Sequence, residues 1–502
     1  MIEHEVKVWP SRTPIPVEGQ LAYKLAAVAC DQVPVEPDVA EMVINRIIDN
    51  TAVAVAAVDR STVQVAYTQA MAHPRSGGAT LIGLPSDKTY SAEWVGWANA
   101  VAVRELDFHD SFFGLEFSHP GDCISPIIAV AQQANCSGAD LTAALAASYE
   151  IQVNLCKGIA LNAHHIDHVG HLAPAVAGGI GRLLRLPVPT VYQAIQQAVH
   201  TSYATRQSRR GMISSWKAYA CAHAGKMAIE AVDRAMRGAT SPSPIYEGEV
   251  SVIASMLDGP DARYTVPLPA PGEPKRAILE TFTKEHSAAY HGQALIDLAF
   301  KMRPKVRDTG AVESIRIYTK HMTHRTTGTG TGDPQRMDPD ATRETLDHSV
   351  MFMFAVALQD GSWDHDASYS HERVHRPDTV ALWQKVETVE DPEWNRRYDD
   401  VESIERAHGG RAEIRLKNGR TIVDEIHVAN GHPRGASPFD RPDYCRKLEA
   451  LTAARSTEAE RRRFVDLVER LPSLAASDVR RLNLEVAAAF TAGTAKIPAG
   501  IF

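Results

Sequence analysis

Apolar positions recur at helical spacing through the first half of the chain. In residues 36–57, EPDVAEMVINRIIDNTAVAVAA, Val39, Met42, Val43, Ile47 and Val53 fall close to one face. Acids stand at the start of that run, where a helix dipole favours them. Residues 137–161 open on Ser137 or Asp140 as a cap and are then apolar every three or four positions. Residues 215–238, SWKAYACAHAGKMAIEAVDRAMRG, are Ala-rich with small residues on several faces, the pattern of a helix packed closely on most sides. Near 259 the pattern changes. GPDARYTVPLPAPGEPKR has low periodicity and is dense in Pro and Gly, as a linker is. Beyond it VESIRIYTK (312–320) alternates Ile315, Ile317 and Thr319 with polar neighbours. AEIRLKNGRTIVDEIHV (412–428) forms two alternating runs about Asn418-Gly419, a hairpin signal. Between them, residues 342–361, TRETLDHSVMFMFAVALQDG, read as one buried helix. The last stretch, from 440 to 492, returns to helices in DYCRKLEALTAAR, TEAERRRFVDLVERL and ASDVRRLNLEVAAAF.

The order helical, α+β, helical predicts a mainly α protein with a large all-helical domain and a smaller α+β domain inserted in it. The expected boundaries are an arm at 1–17, a helical domain begun by 18–270 and completed by 436–502, and the α+β domain at 271–435. GGIG (178–181) lies inside a helical pattern and predicts close packing. TTGTGTGD (326–333) lacks the Gly-Lys-Ser/Thr ending and does not lead a strand into a helix, so it reads as a mobile loop, not a phosphate cradle.

Composition narrows the function. The 502 residues are 44% apolar and 23% charged, as in an ordinary globular protein. A net charge of −8 gives no basic excess for nucleic acid. It also gives no long-range pull on an anionic substrate, so any anion site must be built locally from Arg, Lys and His. The six Cys are scattered, with no two within ten residues, which gives no sign of a zinc ribbon or ferredoxin-like cluster and fits a reducing compartment. The N-terminus has no apolar signal region and no run of 18 apolar residues occurs. A soluble cytoplasmic protein with no membrane partner is expected.

Histidine, with 21 residues, points to the chemistry. RELDFHDSFFGLEFSHPGD (104–122) places Asp107, His109, Asp110, His119 and Asp122 together, and acids beside a His fix its tautomer and move its pKa. HHIDHVGH carries His164, His165, His168 and His171; on one helix the first, third and fourth share a face that can hold a divalent metal, although the HExxH form is absent. TRQSRRGMISSWK (205–217) brackets small residues with Arg206, Arg209, Arg210 and Lys217 before a helix that Ser214 or Ser215 can cap, a carboxylate-binding pattern. TKEHSAAYHGQ (283–293) adds Lys284, His286, Tyr290, His291 and Gln293 just past the linker.

ELDFHDSF followed by SHPGD, DHVGH, SSWKAYACAHAGKMA and KEHSAAYHGQ, with VINRIIDN near the N-terminus, together resemble the MmgE/PrpD family over nearly the whole chain. The resemblance implies a helical domain holding both termini, a smaller α+β lid, a homodimer, and catalysis without an iron–sulfur cluster; no metal or other cofactor is expected. It implies dehydration of a small polycarboxylate, 2-methylcitrate to 2-methyl-cis-aconitate in propionate breakdown, with citrate or cis-aconitate as further substrates. The expected catalytic set, carried over by motif, is Asp107, His119, His168 and Lys217; the expected substrate-binding set is Ser111, Lys284 and His291 from the same motifs, with Arg209 and Arg210 added as cations able to hold the carboxylates. Ser111 stands where relatives often have Thr, and its spacing to His119 is longer than in the family's decarboxylases. Which His is acid and which is base stays open. A related lyase such as a cis-aconitate decarboxylase, a metal-dependent hydrolase or lyase built on His164 to His171, and a non-catalytic helical scaffold are the alternatives.

Overall fold

The computed structural model describes residues 1–502, the side chain of Ser403 excepted. Long helices build one hydrophobic core. Among them are α1 (Pro37–Ala57), α2 (Ala92–Glu105), α3 (Gly138–Gly158), α4 (Val169–Leu183), α5 (Val188–Ser202) and α6 (Trp216–Met236). Ser137 caps α3, its hydroxyl accepting from the Asp140 backbone N–H at 3.2 Å. Small residues let the helices close on one another. A Cβ added at Gly181 of α4 would lie 2.5 Å from Val191 of α5. The same core takes in Tyr444, Leu448, Phe464 and Leu467 from the C-terminal helices Arg441–Thr452 and Glu458–Val468.

This domain is not wholly helical. Ile2–Lys7 (β1) pairs antiparallel with Arg263–Leu268 (β2), from Ile2 opposite Leu268 to Lys7 opposite Arg263. The N-terminal arm is therefore tied down by backbone hydrogen bonds to the segment expected to be a linker.

A second core belongs to the α+β part. Its sheet runs β4-β3-β5-β6, from Val312–Thr319 (β3), Val386–Glu390 (β4), Gly410–Leu416 (β5) and Thr421–Ile426 (β6). Only the β3–β4 pair is parallel. Ile315 faces Ile414 across the ladder, and Ile414 faces Ile422. Their shared apolar face is covered by α7 (Tyr290–Val306) and α8 (Val350–Asp360). Gly419 turns the expected hairpin with φ +85°.

Three local expectations are corrected. Residues 342–361 are two helices, Arg343–Leu346 and α8, broken at Asp347-His348. The break occurs because backbone groups there bond outside the helix: Ala289 N–H donates to the Asp347 carbonyl and Val350 N–H to that of Thr327, both at 2.9 Å. Ser349 then caps α8 by accepting from Phe352 N–H. ASDVRRLNLEVAAAF is helical only over Ala476–Val479 and for one turn at 488–490. Between them Leu484 and Val486 exchange backbone hydrogen bonds with Gly83 at 2.9 and 3.0 Å. TTGTGTGD is not a free loop, since Thr329 is held to Thr388 by four hydrogen bonds of 2.9 to 3.1 Å. Gly328 permits that contact, because a Cβ there would meet the Thr388 hydroxyl at 2.3 Å.

Candidate active site

The chain leaves α2 through Arg104 and reaches Asp107 in the left-handed region, φ +49°. An Asp held there stores backbone strain that the surroundings must enforce. They do so with cations. Arg104 Nη1 donates to Asp107 Oδ1 at 2.5 Å. Lys284 binds the same oxygen and donates to the Asp107 carbonyl at 2.8 Å. Lys217 Nζ lies 3.3 Å from Oδ2. All four side chains are buried. Burial opposes ionisation of Asp107, but Arg104, Lys284 and Lys217 outweigh it and hold the carboxyl well below its ordinary range.

A short hairpin, Phe112–Phe113 with Phe117–Ser118, then delivers His119. Its Nδ1 lies 2.8 Å from the Asp110 carbonyl. A carbonyl only accepts, so Nδ1 carries the proton and Nε2 keeps its lone pair. Nε2 lies 3.9 Å from Asp107 Oδ1. His168 is arranged alike: Nδ1 is 3.1 Å from Asp167 Oδ1, while Nε2 is buried with no hydrogen-bond partner among the described residues. Asp167 is itself fixed by Ser208 at 2.7 Å and Arg209 at 3.1 Å. Burial, reinforced by Arg104 and Lys284, pushes the His119 pKa well down. Burial takes His168 to about 3 despite Asp167. Both imidazoles are neutral.

From the α+β side comes a pair that sequence reasoning missed. Asp347 accepts from Lys217 Nζ on both oxygens at 2.8 Å. His348 bonds Asp347 through Nδ1 and turns Nε2 to within 3.7 Å of Asp107 Oδ2. The signal is an acid–His pair, Asp347-His348, just before a strongly apolar run, and helical periodicity across that run hides it. Arg104 was missed as well; it lies one residue before the quoted ELDFHDSF motif, at the end of an apolar helical run.

His119, His168, His348, Arg104, Arg206 and Arg336 are among the side chains around one cavity of about 570 Å³, part of it open to solvent. Arg209 and His291 also line it; His291 Nδ1 is 3.2 Å from the Thr323 hydroxyl. Phe113, Phe117 and Tyr290 give it an aromatic wall. The other expected residues lie elsewhere. Ser111 sits behind His119, with its hydroxyl 3.1 Å from Nδ1 and its backbone bonded to Phe282. Lys217 and Lys284 stand behind Asp107. Arg210 reaches only an outer chamber. His109 is buried against Asp122 at 2.9 Å, and His286 against Asp297 at 2.8 Å.

The expected shared face of His164, His168 and His171 does not form, because only His171 lies within α4. His164 ends a 3-10 turn, His165 takes φ +58°, and His168 precedes α4. His171 Nε2 is spent on the Ile159 carbonyl at 2.9 Å. Asp107, Asp347 and His348 do bring ligand-type atoms within 4.8 Å of one another. Lys217 fits its ammonium between the two carboxylates, which neutralises them as a metal ion would. The donor set is thus that of a lysine-bridged acid pair, and it does not fit a metal.

The chain matches the MmgE/PrpD N-terminal domain over residues 19–265 and the MmgE/PrpD C-terminal domain over residues 286–472. It belongs to the MmgE/PrpD family. It is 25% identical to the mitochondrial 2-methylcitrate dehydratase of Yarrowia lipolytica over 345 residues, covering 65% of this chain and 63% of that protein. The 2-methylcitrate dehydratase of Cupriavidus necator is 25% identical over 361 residues, 66% of this chain and 69% of the relative. The alkylcitrate dehydratase phiI of Talaromyces stipitatus is 25% identical over 388 residues, 74% and 76% of the two chains. The match thus spans just under two thirds of the Yarrowia protein's length. Among the described residues no helix is long and apolar enough to cross a membrane.

Proposed function

We propose that this MmgE/PrpD protein is a hydro-lyase that removes water from a 2-hydroxy tricarboxylate, with 2-methylcitrate as substrate and 2-methyl-cis-aconitate as product. The observation that carries the reading is the pair of neutral imidazoles, His119 and His168, with free Nε2 atoms in a cavity walled by arginines. The names of the relatives support the substrate class.

The elimination breaks a C–H bond beside a carboxylate and a C–O bond on the next carbon. One imidazole takes the carbon-bound proton on Nε2 as the electron pair becomes the new double bond. The departing hydroxide receives a proton from the other, charged once the trianion raises its pKa. The His119 Nδ1–H is held from behind by the Asp110 carbonyl, and His168 Nδ1 lies 3.1 Å from the Asp167 carboxylate, so each Nε2 is aimed without rearrangement. Arg206, Arg209 and Arg336 bind carboxylates and favour the extra charge on the carboxylate beside the carbanion-like carbon. Asp107, locked by Arg104, Lys217 and Lys284, orients His119 and sets the local charge. Ser111 and His291 support the imidazole and the cavity wall.

The test is ultraviolet absorbance of the conjugated product with chelator-treated protein, offered 2-methylcitrate, citrate and cis-aconitate separately. A rise with 2-methylcitrate and product matching 2-methyl-cis-aconitate is expected. Carbon dioxide release from cis-aconitate without any dehydration would overturn the proposal in favour of a decarboxylase. Activity that appears only after a divalent metal is added would overturn the metal-free mechanism.

A further inference from the structure

Beside the catalytic cavity lies a second chamber of about 850 Å³, open to solvent. Arg206, Arg209, Arg336 and Thr326 line both spaces, so the two share a wall. Arg210, Arg325, His165 and His321 line the outer one alone. Five arginines therefore face a chamber whose lining contains one acid, Asp333, in a chain of net charge −8.

The pairing of these arginines shows which are free. Arg209 is committed to Asp167 and the Lys217 carbonyl. Arg336 donates to the Thr345 carbonyl at 2.9 Å, lies 3.7 Å from Asp333, and leaves a buried Nε without a hydrogen bond among the described residues. Arg206 has no ion pair or side-chain hydrogen bond among the described residues; its guanidinium carbon lies over the Phe117 ring, 4.7 Å from the centroid. An aromatic face accepts no conventional hydrogen bond, so the guanidinium donors remain for a ligand. Arg325 is exposed and only 3.9 Å from Glu390, which also binds His321 at 3.1 Å. Arg210 is exposed with no ion pair or side-chain hydrogen bond among the described residues.

We propose that this outer chamber is a separate binding site for a di- or tricarboxylate, held by Arg210 and Arg325 and handed inward by Arg206 and Arg336. The inference rests on the reading of the inner cavity as a polycarboxylate site. Free guanidiniums match carboxylates in pairs of hydrogen bonds. Clustered in a concave wall, they raise the local concentration of an anion that the rest of the protein repels. An incoming trianion meets two cations at the mouth, and each step inward exchanges one arginine for the next.

The experiment uses tricarballylate, which has three carboxylates and no hydroxyl to lose. Calorimetric titration of the full chain should give two sites per chain, and Arg210→Gln/Arg325→Gln should keep one. One site in the unaltered protein, or two in the double variant, would overturn the proposal. Steady-state kinetics of Arg325→Gln give an independent readout: kcat/KM should fall about 3- to 10-fold at low salt with kcat retained. The deficit should vanish as ionic strength shortens the electrostatic range. A kcat/KM equal to that of the unaltered enzyme at every salt concentration would also overturn it. The two readings fail separately. Two tricarballylate sites with no dehydration would sink the proposed reaction and leave the outer site standing, whereas dehydration with a single site would do the reverse.

Discussion

Lys284 tests whether the cationic hub around Asp107 is kept against the interest of stability. Its ammonium is wholly buried, and although Asp107 attracts it, burial wins and lowers its pKa from 10.5 to about 8. In the unfolded chain the same lysine holds its proton more tightly. Between about pH 8 and 10.5 the unfolded state therefore binds more protons, and folding stability contributed by this group rises with pH. From about pH 7 to 9.5 the gain is about 2 kcal/mol, at 1.36 kcal/mol for each pKa unit. Lys284→Met removes the ionisable group, while Asp107 keeps Arg104 and Lys217. At an unfolding entropy of about 2.1 cal/mol/K per residue, a chain of this length loses about 1 °C in midpoint per kcal/mol. The gap in thermal midpoint between the unaltered protein and the variant, followed by dye fluorescence or calorimetry, should move about 2 °C toward the unaltered protein over that pH range. Comparing the two proteins cancels the other groups that titrate there. A gap that stays constant, or moves the other way, would refute the claim that burial dominates at Lys284. Loss of dehydration in the same variant would then show that the charge is held there for chemistry.

His119→Asn should lower turnover by about 10²- to 10⁴-fold, the usual worth of a general acid or base, with the thermal midpoint little changed. Near-normal turnover in this variant would remove His119 from the proton transfers. The pH dependence of kcat/KM should also be displaced from that of free histidine. Burial lowers His168 to about 3 and His348 to about 4, and pushes His119 down too, so the neutral bases persist as pH falls. The acid limb, set by the imidazole that must be unprotonated, should lie below about pH 5. An acid limb centred near 6.5 would contradict the burial of these rings.

The sequence by itself determined the elements whose signals are local. The face of Val39, Met42, Val43 and Ile47, the cap at Ser137, the alternation of Ile315 and Ile317, and the Asn418-Gly419 turn each specify an element over a few neighbouring residues. The clustering of Asp107, His119, His168, Lys217 and Lys284 was legible too, because each sits in a short motif that resembles one family. The tertiary structure alone decided what depends on partners far along the chain. Asp347 and His348 break a run that apolar periodicity reads as one helix: Ala289 and Lys217 bind the backbone and side chain of Asp347, and Val350 N–H donates to the distant Thr327 carbonyl. Leu484 and Val486 are drawn out of a helical pattern by Gly83, some 400 positions away. His171 is turned from a candidate metal ligand into a backbone tether by Ile159. The order of the site was likewise invisible: Lys217 and Lys284 lie behind Asp107, while Arg104, Arg206 and Arg336 form the wall. Periodicity reports which face of an element is buried. It carries no record of the distant charge that a buried carboxylate or imidazole will find there, and that pairing sets both geometry and protonation.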